Sequence, residues 1–248
     1  MLWYKGWRES RSRFLLAAGA VAIYSLAVLV FAQTAFPPPQ APHLPYSAFV
    51  WSEFYGPWRA VAFSIIALVF GLGGLQRERA LGTAAFTLAL PVSRAQLVCA
   101  RFVIGLVELT AIVMIPLVVV PTLSPVFVRQ TYPWSQSVEY AALFMSWGVV
   151  WFAIGFTWSA LFAGEFTAAS ASILSPFGYL VIYANVSQGG RRFLAANPFA
   201  MMSGDLDLQF NGRQLLTGHP PWLPMFVLVL VVAALLVCVW RVTVRQNY

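Results

Sequence analysis

One carboxyl group stands alone inside a long apolar stretch of the sequence. Glu108 follows "RFVIGLV" and precedes "LTAIVMIPLVVV", about two helical turns after Arg101. If this stretch crosses a membrane, the carboxylate is costly, so it must face a bundle interior or a water-filled path, or be neutral. Two hypotheses follow: Glu108 belongs to a translocation path or gate, or it forms a structural link with Arg101 or with a serine or threonine.

A cluster of charged residues interrupts the apolar sequence between positions 71 and 94, in "GLGGLQRERALGTAAFTLALPVSR". Glu78 lies between Arg77 and Arg79, and Gly82 follows them. Charged side chains are expensive in an apolar layer, so these three residues are expected to lie outside it. Glycine allows a backbone turn that other residues resist. The pattern predicts a charged elbow at the end of an apolar helix.

A short helix is predicted directly after this elbow. Thr83 is a good N-cap, residues 84–90 can form about two helical turns, and Phe86 and Leu90 lie on one face of that helix. Pro91 ends it. A short, partly apolar helix between two spans is suited to docking into a groove on a partner. An interfacial helix without a partner is the alternative that the residues leave open.

A long helix is expected to begin just after the proline. Ser93 and Gln96 form a capping box, which places Arg94 and Arg101 in the first turns of that helix. The predicted layout is therefore a span, a charged elbow, a short helix, a proline break and a capped span.

The sequence contains no motif for catalysis, metal binding or nucleotide binding. His43 and His219 lie alone in separate loops, and no carboxylate pair or Ser-His-Asp set is placed for hydrolysis. There is no G-x-x-x-x-G-K-[ST] motif to hold ATP phosphates. Cys99 and Cys238 lie in or near apolar segments, so no disulfide framework follows. The chain is expected not to be an enzyme, with no catalytic residues and no metal site.

The composition is typical of a membrane protein. Of the 248 residues, 60% are hydrophobic and 9% are charged, whereas a soluble domain has about 25% charged residues. Such a chain cannot cover a water-facing surface, so the lipid bilayer is its expected surroundings. Its net charge of +7 comes from basic residues between apolar runs, which form no exposed patch, and nucleic acid is therefore not an expected partner.

Six apolar segments are long enough to cross a bilayer, which takes about 20 helical residues. The residues before the first segment mix aromatic and basic side chains, which suits a short helix in the headgroup layer; plain flanking charge is the alternative. The sequence predicts an all-α membrane protein with a single transmembrane domain, 1–248, an N-terminal interfacial helix and a cytoplasmic helix between the second and third spans. The six spans lie at about 14–35, 54–76, 97–121, 139–163, 166–186 and 222–241.

The distribution of basic residues predicts the orientation of the spans. An even number of spans puts both termini on one side, and the positive-inside rule then puts that side in the cytoplasm. The predicted inner side carries ten basic residues, Lys5, Arg8, Arg11, Arg13, Arg77, Arg79, Arg94, Arg101, Arg241 and Arg245, and the outer side carries five, Arg59, Arg129, Arg191, Arg192 and Arg213.

The stretch "RERALGTAAFTLALPVSRAQLVCAR" resembles the signature of ABC type-2 transporter permeases. That family tends to show an acidic-basic pair, a Gly-Thr, a leucine-rich short helix, Pro-Val-Ser-Arg and a basic residue early in the next span. The opening "KGWRESRSRFL" also resembles the amphipathic lead-in helix of the family. The matching positions are Glu78, Arg79, Gly82, Thr83, Leu88, Leu90, Pro91, Val92, Ser93, Arg94, Leu97 and Val98, with Arg101 where Lys is common.

The resemblance implies that residues 77–94 form a coupling helix that rests on a separate ATP-hydrolysing subunit. That subunit would bind ATP and Mg, because this chain holds neither. Ala84 and Ala85 stand where a Leu and often an acidic residue are usual, which bears on the choice of ATPase. The implied coupling residues are Glu78, Arg79, Gly82, Thr83, Phe86, Leu90, Pro91, Ser93 and Arg94.

Two further features follow from the same resemblance. Glu165, in the short turn "FAGEFT", either caps the fifth span at its N-terminus or makes a second contact with the ATPase. Six spans are half the usual set for this transporter class, which implies a second permease subunit, either an identical copy or a sister permease. The implied location is the bacterial inner membrane.

The sequence therefore favours the permease subunit of an ATP-driven ABC exporter. An ion-gradient-driven secondary transporter is the alternative from another class, with Glu108 as its coupling residue, although the internal repeat common in that class is absent. A non-transporting assembly or signalling subunit that kept the coupling helix is a further alternative. An intramembrane enzyme would need paired catalytic groups, which the sequence lacks.

Overall fold

Helices account for nearly all of the chain that the structure describes. The computed structural model describes residues 2–35, 46–72, 94–162, 165–186, 210–211, 215–216 and 222–245. A π-helical turn, Trp51–Tyr55, connects the second and third α-helices. The α-helices in these ranges are α1 (Leu2–Ala35), α2 (Tyr46–Val50), α3 (Pro57–Gly71), α4 (Arg94–Phe127), α5 (Trp134–Leu161), α6 (Glu165–Val186) and α7 (Trp222–Arg245).

Five helical stretches within the described ranges are long and apolar enough to cross a membrane. In a bilayer each backbone N–H and C=O must bond within the protein, which a helix achieves for every residue of a span. The chain is an all-α, multi-pass membrane protein, as the sequence predicted. The five stretches are Gly6–Gln33, Trp51–Gly71, Gln96–Phe127, Trp134–Leu161 and Met225–Val242.

The fifth predicted span, 166–186, coincides with α6, a helix of 22 residues that is not among these five stretches. The predicted second span, 54–76, begins earlier than expected, at the π-helical turn, and its last residues lie outside the described part of the chain. Small differences also separate the other predicted and observed ends, because apolar runs define helix centres better than helix ends.

The predicted interfacial helix before the first span is wrong as a separate element. α1 is one continuous helix of 34 residues, about 50 Å long against a hydrocarbon core of about 30 Å. Its N-terminal end packs along α4, where a Cβ added to Gly6 would lie 2.5 Å from Cδ1 of Ile104. This packing explains the continuity of the helix, while Trp3, Tyr4 and Trp7 remain exposed.

α4 is also longer than predicted, because it continues past a proline that should end it. The helix contains Pro116, Pro121 and Pro125, and Pro121 has no N–H for the carbonyl of Leu117, four residues earlier. The hydroxyl of Ser137 in α5 donates to that carbonyl over 3.1 Å. A neighbouring helix therefore replaces the bond that the proline removes.

α5 lies at the centre of the bundle and packs against α3, α4, α6 and α7, while α1 packs mainly on α4. The α3–α5 contact includes a polar link, in which the indole N–H of Trp147 donates to Oγ of Ser64 at 2.7 Å. Phe63 and Phe144 stack beside it with ring centroids 4.4 Å apart. The buried core therefore runs along α5, and α1 and α7 lie at its periphery.

The loop before α7 contains a short antiparallel strand pair. Phe210 lies opposite Leu216 and Asn211 opposite Leu215. These four residues are all that the structure describes between 187 and 221, so the rest of the predicted outer loop lies outside the described residues.

Candidate functional site

Most of the predicted coupling residues lie between the ends of two described helices. Leu72 is the last described residue before this segment, and Arg94 begins α4 directly after it. The other predicted residues, Glu78, Arg79, Gly82, Thr83, Phe86, Leu90, Pro91 and Ser93, lie outside the described part of the chain. The structure therefore describes the two helices that flank the predicted segment, α3 and α4, and their contacts.

The C-terminal end of α3 is capped by an arginine from α1. Nη1 of Arg13 donates to the carbonyl of Val69 at 3.1 Å and to the carbonyl of Leu72 at 2.5 Å. The last carbonyls of a helix have no partner within that helix, and a cation is favoured there by the helix dipole. Arg13 therefore ties α1 to the last described residue before the predicted coupling segment.

One turn before this arginine, α1 makes a second polar contact, this time with α4. Oγ of Ser10 donates to Oε1 of Glu108, whose side chain is buried. Arg13 lies within electrostatic range of the same carboxyl group. Ser10, Arg13 and Glu108, together with the end of α3, form a group that we call the polar junction. It joins α1, α3 and α4 at one end of the bundle.

The contact of Glu108 is one of the alternatives that the sequence left open. The structural hypothesis paired Glu108 with Arg101 or with a serine or threonine. In the structure, Glu108 contacts the hydroxyl of Ser10. That oxygen also lies 3.0 Å from the carbonyl of Gly6. The hydroxyl carries a single hydrogen, so it donates to only one of these two oxygens at a time. A role of Glu108 in a translocation path or gate stays a prediction.

A second contact fixes the end of α3 on α5 through glycines. A Cβ added to Gly71 would lie 2.5 Å from the carbonyl oxygen of Phe152 and 2.7 Å from the nitrogen of Phe156. A Cβ added to Gly155 would lie 2.7 Å from the carbonyl oxygen of Leu68. The two backbones thus touch, so α3 cannot shift near its end without moving α5.

Two other sequence predictions concern this site. Glu165 is the first residue of α6, the position where a helix dipole favours a carboxylate. Its role as a second ATPase contact stays a prediction. No group of three His, Cys, Asp or Glu side chains that could hold a metal ion occurs in the part of the chain that was searched, which is the described part.

Sequence reasoning did not find the partners of Glu108 and of the α3 end. Ser10 and Arg13 belong to the stretch for which the sequence predicts an interfacial helix or, alternatively, plain flanking charge, and 98 positions separate Ser10 from Glu108. A serine and an arginine three positions apart share one face of a helix. That spacing, next to an apolar span, was the available signal.

The comparisons with known proteins bear on most of the chain. A family model described as "ABC-2 family transporter protein" matches residues 16–242. The matched range contains the segment from Leu72 to Arg94 as well as Glu108, and it begins after Ser10 and Arg13. No curated protein matches the sequence.

Proposed function

Because the chain belongs to the ABC-2 family of transporter proteins, we propose that it is the permease subunit of an ATP-driven ABC exporter. The family match confirms the resemblance found in residues 77–101, and it makes the chain an ABC permease. The export direction, the ATP dependence and the partner contacts belong to the proposal. The match of residues 16–242 to this family is the observation that carries it.

In this proposal, a separate nucleotide-binding subunit binds ATP and Mg and receives the segment 77–94 as its coupling helix. The aromatic and apolar face formed by Phe86 and Leu90 docks into a groove of that subunit. Glu78 and Arg79 supply charged contacts at the rim of the groove. Closure of the ATPase subunits then displaces the segment, and the chain converts this displacement into movement of its spans.

The polar junction supports this transmission step. A force on the coupling segment passes along the chain to Leu72 at the end of α3 and to α4 at Arg94, which is the last residue of the segment and the first of that helix. Arg13 of α1 bonds the carbonyl of Leu72 at 2.5 Å, and Ser10 links α1 to α4. Movement of α3 is therefore shared with α1 and α4, and the contact of Gly71 with Phe152 extends it to α5.

The proposed arrangement in the membrane has six spans, with α6 as the fifth. Both termini lie in the cytoplasm of a bacterial cell, and the chain crosses the inner membrane. A second permease subunit, identical or a sister protein, completes the translocation path. The excess of basic residues on the side of the termini supports this orientation.

The proposal is tested by purifying the full-length chain from its native membrane in mild detergent. We expect a stoichiometric subunit with a nucleotide-binding signature and vanadate-sensitive ATP hydrolysis. Phe86→Asp and Gly82→Val should reduce ATPase association while leaving membrane insertion intact. Trp134→Asp, which replaces an exposed aromatic residue at the start of α5 and outside the segment, is the matched control and should associate normally. A chain that purifies alone, without hydrolysis, would refute the ATP-driven function.

A further inference from the structure

A cavity of about 280 Å³ lies between α1, α3, α4 and α5. For comparison, an apolar cavity of about 150 Å³ in another protein is large enough to bind benzene. The wall is almost entirely apolar, with Arg59 at one end. The lining side chains include Ala20 and Tyr24 from α1, Arg59, Ala62 and Ile66 from α3, and Ile112 from α4.

Arg59 and Tyr24 line one end of the cavity, and Glu53, which is not a lining residue, bonds both of them. Nη2 of Arg59 lies 2.6 Å from Oε2 of Glu53, and its Nε donates to the Glu53 carbonyl at 2.8 Å. The hydroxyl of Tyr24 donates to Glu53 as well, and the Arg59 guanidinium lies 4.9 Å from the Tyr24 ring centroid. The Arg59 and Glu53 side chains are 38% and 33% exposed. The ion pair is therefore held in place and remains accessible.

The ion pair leaves hydrogen-bonding capacity on both of its members. Arginine carries five N–H donors, and the described bonds to Glu53 use two of those of Arg59. A carboxylate accepts about four hydrogen bonds, so Glu53 can accept a further donor. A ligand with one anionic and one cationic group therefore matches this pair. A purely anionic ligand would be attracted by Arg59 but repelled by the Glu53 carboxylate.

The cavity continues from this polar end along α3 in the direction of the membrane interior. Arg59, Ala62 and Ile66 share one helix face, and the seven helical steps from Arg59 to Ile66 span about 10 Å. Ala20 and Ala62 line the cavity and are exposed, so two small side chains border an opening between α1 and α3. That opening lies within candidate membrane spans, where the bilayer surrounds the protein.

We propose that this cavity binds one phospholipid with a phosphoethanolamine headgroup. The phosphate accepts hydrogen bonds from Arg59, the ammonium group donates to Glu53, and one acyl chain lies along Ala62 and Ile66. A lipid enters sideways from the bilayer through the opening between α1 and α3. The inference is independent of the ATPase partner, because it rests on residues at the end of α3 opposite the polar junction.

Photolabelling of the full-length chain in nanodiscs tests the site. The probe is phosphatidylethanolamine with a diazirine in one acyl chain, and labelled peptides are identified by mass spectrometry. We expect label on α3 around Ile66 and on α4 around Ile112. Unlabelled phosphatidylethanolamine should compete about tenfold better than phosphatidylglycerol with the same acyl chains, the difference expected for one charge-assisted hydrogen bond.

Two variants separate the cavity from ordinary lipid contact. Ala62→Phe fills the cavity from its exposed edge and should remove most of the label at Ile66. Val118→Phe, on the exposed face of α4 outside the cavity, is the matched control and should label normally. Arg59→Gln should reduce labelling at Ile66 by about tenfold at a probe concentration below saturation, and the thermal midpoint of each variant shows whether it folds.

Two results would overturn the proposal. Label that spreads evenly over the exposed faces of α4 and α7, unchanged by Ala62→Phe in a folded protein, would show only surrounding bilayer lipid. If phosphatidylglycerol competes as well as phosphatidylethanolamine, the headgroup does not pair with Glu53 and Arg59 as proposed.

Discussion

The guanidinium of Arg13 lies 2.5 Å from the carbonyl oxygen of Leu72, so the first helix of the chain caps α3 five positions before the predicted coupling segment, 77–94, begins. The hydrogen bond joins a cation to the negative end of a helix dipole, and it is partly buried. In the proposed function, force enters through the segment that follows Leu72, so the end of α3 must be held in place. In this chain, Arg13 of α1 makes the contact that holds it.

Removing the cap should weaken both the fold and its coupling to ATP hydrolysis. Arg13→Gln shortens the side chain and removes its charge, so we expect a loss of about 1–2 kcal/mol in the free energy of unfolding. Stimulation of the partner ATPase by transported substrate should fall in parallel. Thermal unfolding in detergent and ATP turnover in the purified complex measure the two effects.

Arg11→Gln is the matched control. It removes the same charge from the same helix, but Arg11 is exposed. Arg13→Lys keeps the charge but replaces the planar guanidinium by a single ammonium group, so it should recover part of the loss. If both glutamine variants behave alike, the effect is one of net charge and the capping role is wrong.

The link between Ser10 and Glu108 predicts an asymmetry between its two partners. Ser10→Ala leaves a buried carboxyl group without its hydroxyl partner and should cost about 1–3 kcal/mol of unfolding free energy. Glu108→Gln keeps a side chain that bonds the hydroxyl, so it should cost less than about 1 kcal/mol and leave export near normal. Unfolding and export assays on the two single variants measure this difference.

The double variant Ser10→Ala with Glu108→Met provides the control for this prediction. Replacing both polar partners by apolar side chains is often nearly neutral, so the double variant should be more stable than Ser10→Ala alone. Normal stability of Glu108→Gln with loss of export would instead place the carboxyl group in the translocation path.

The glycine contact between α3 and α5 predicts a strong effect of a single methyl group. Gly71→Ala and Gly155→Ala each place a Cβ within 2.7 Å of backbone atoms of the other helix, so each should cost about 1–3 kcal/mol of unfolding free energy. The measurement is thermal unfolding of the purified chain.

Gly19→Ala and Gly178→Ala are the controls for this contact. Within the described part of the chain, a Cβ at either position meets no atom within 4 Å, and alanine is the better helix former by about 1 kcal/mol. Both controls should therefore be neutral or stabilising. Destabilisation of all four variants by the same amount would contradict the close approach of α3 and α5.

The sequence predicted the parts of this structure that depend on local composition. Runs of about 20 apolar residues must be helical in a bilayer, since no other local structure satisfies the backbone. The centres of the helices around Val28, Leu68 and Phe144 were therefore predictable. The family was also predictable, since the signature from Glu78 to Arg101 combines turn, cap and charge at fixed spacing.

Pairings between distant residues were not predictable from composition. The contact of Ser10 with Glu108 depends on how α1 and α4 pack along each other, and many registers satisfy the same apolar pattern. The ion pair of Glu53 and Arg59 depends on the π-helical turn that precedes α3, which the sequence analysis missed. Both pairings became visible only with the helices in place.

The end of α4 leads to a further prediction, because the sequence placed it at Pro121 and the helix continues to Phe127. The helix tolerates this proline because the hydroxyl of Ser137 takes the place of the missing N–H at the carbonyl of Leu117. Ser137→Ala should therefore cost about 1 kcal/mol of unfolding free energy in the natural background. In a Pro121→Ala background the helix supplies its own N–H to Leu117, so the same change should cost much less. A double-mutant cycle of unfolding measures the coupling between the two positions, and a Ser137→Ala effect of equal size in both backgrounds would show that Ser137 does not support the helix at this proline.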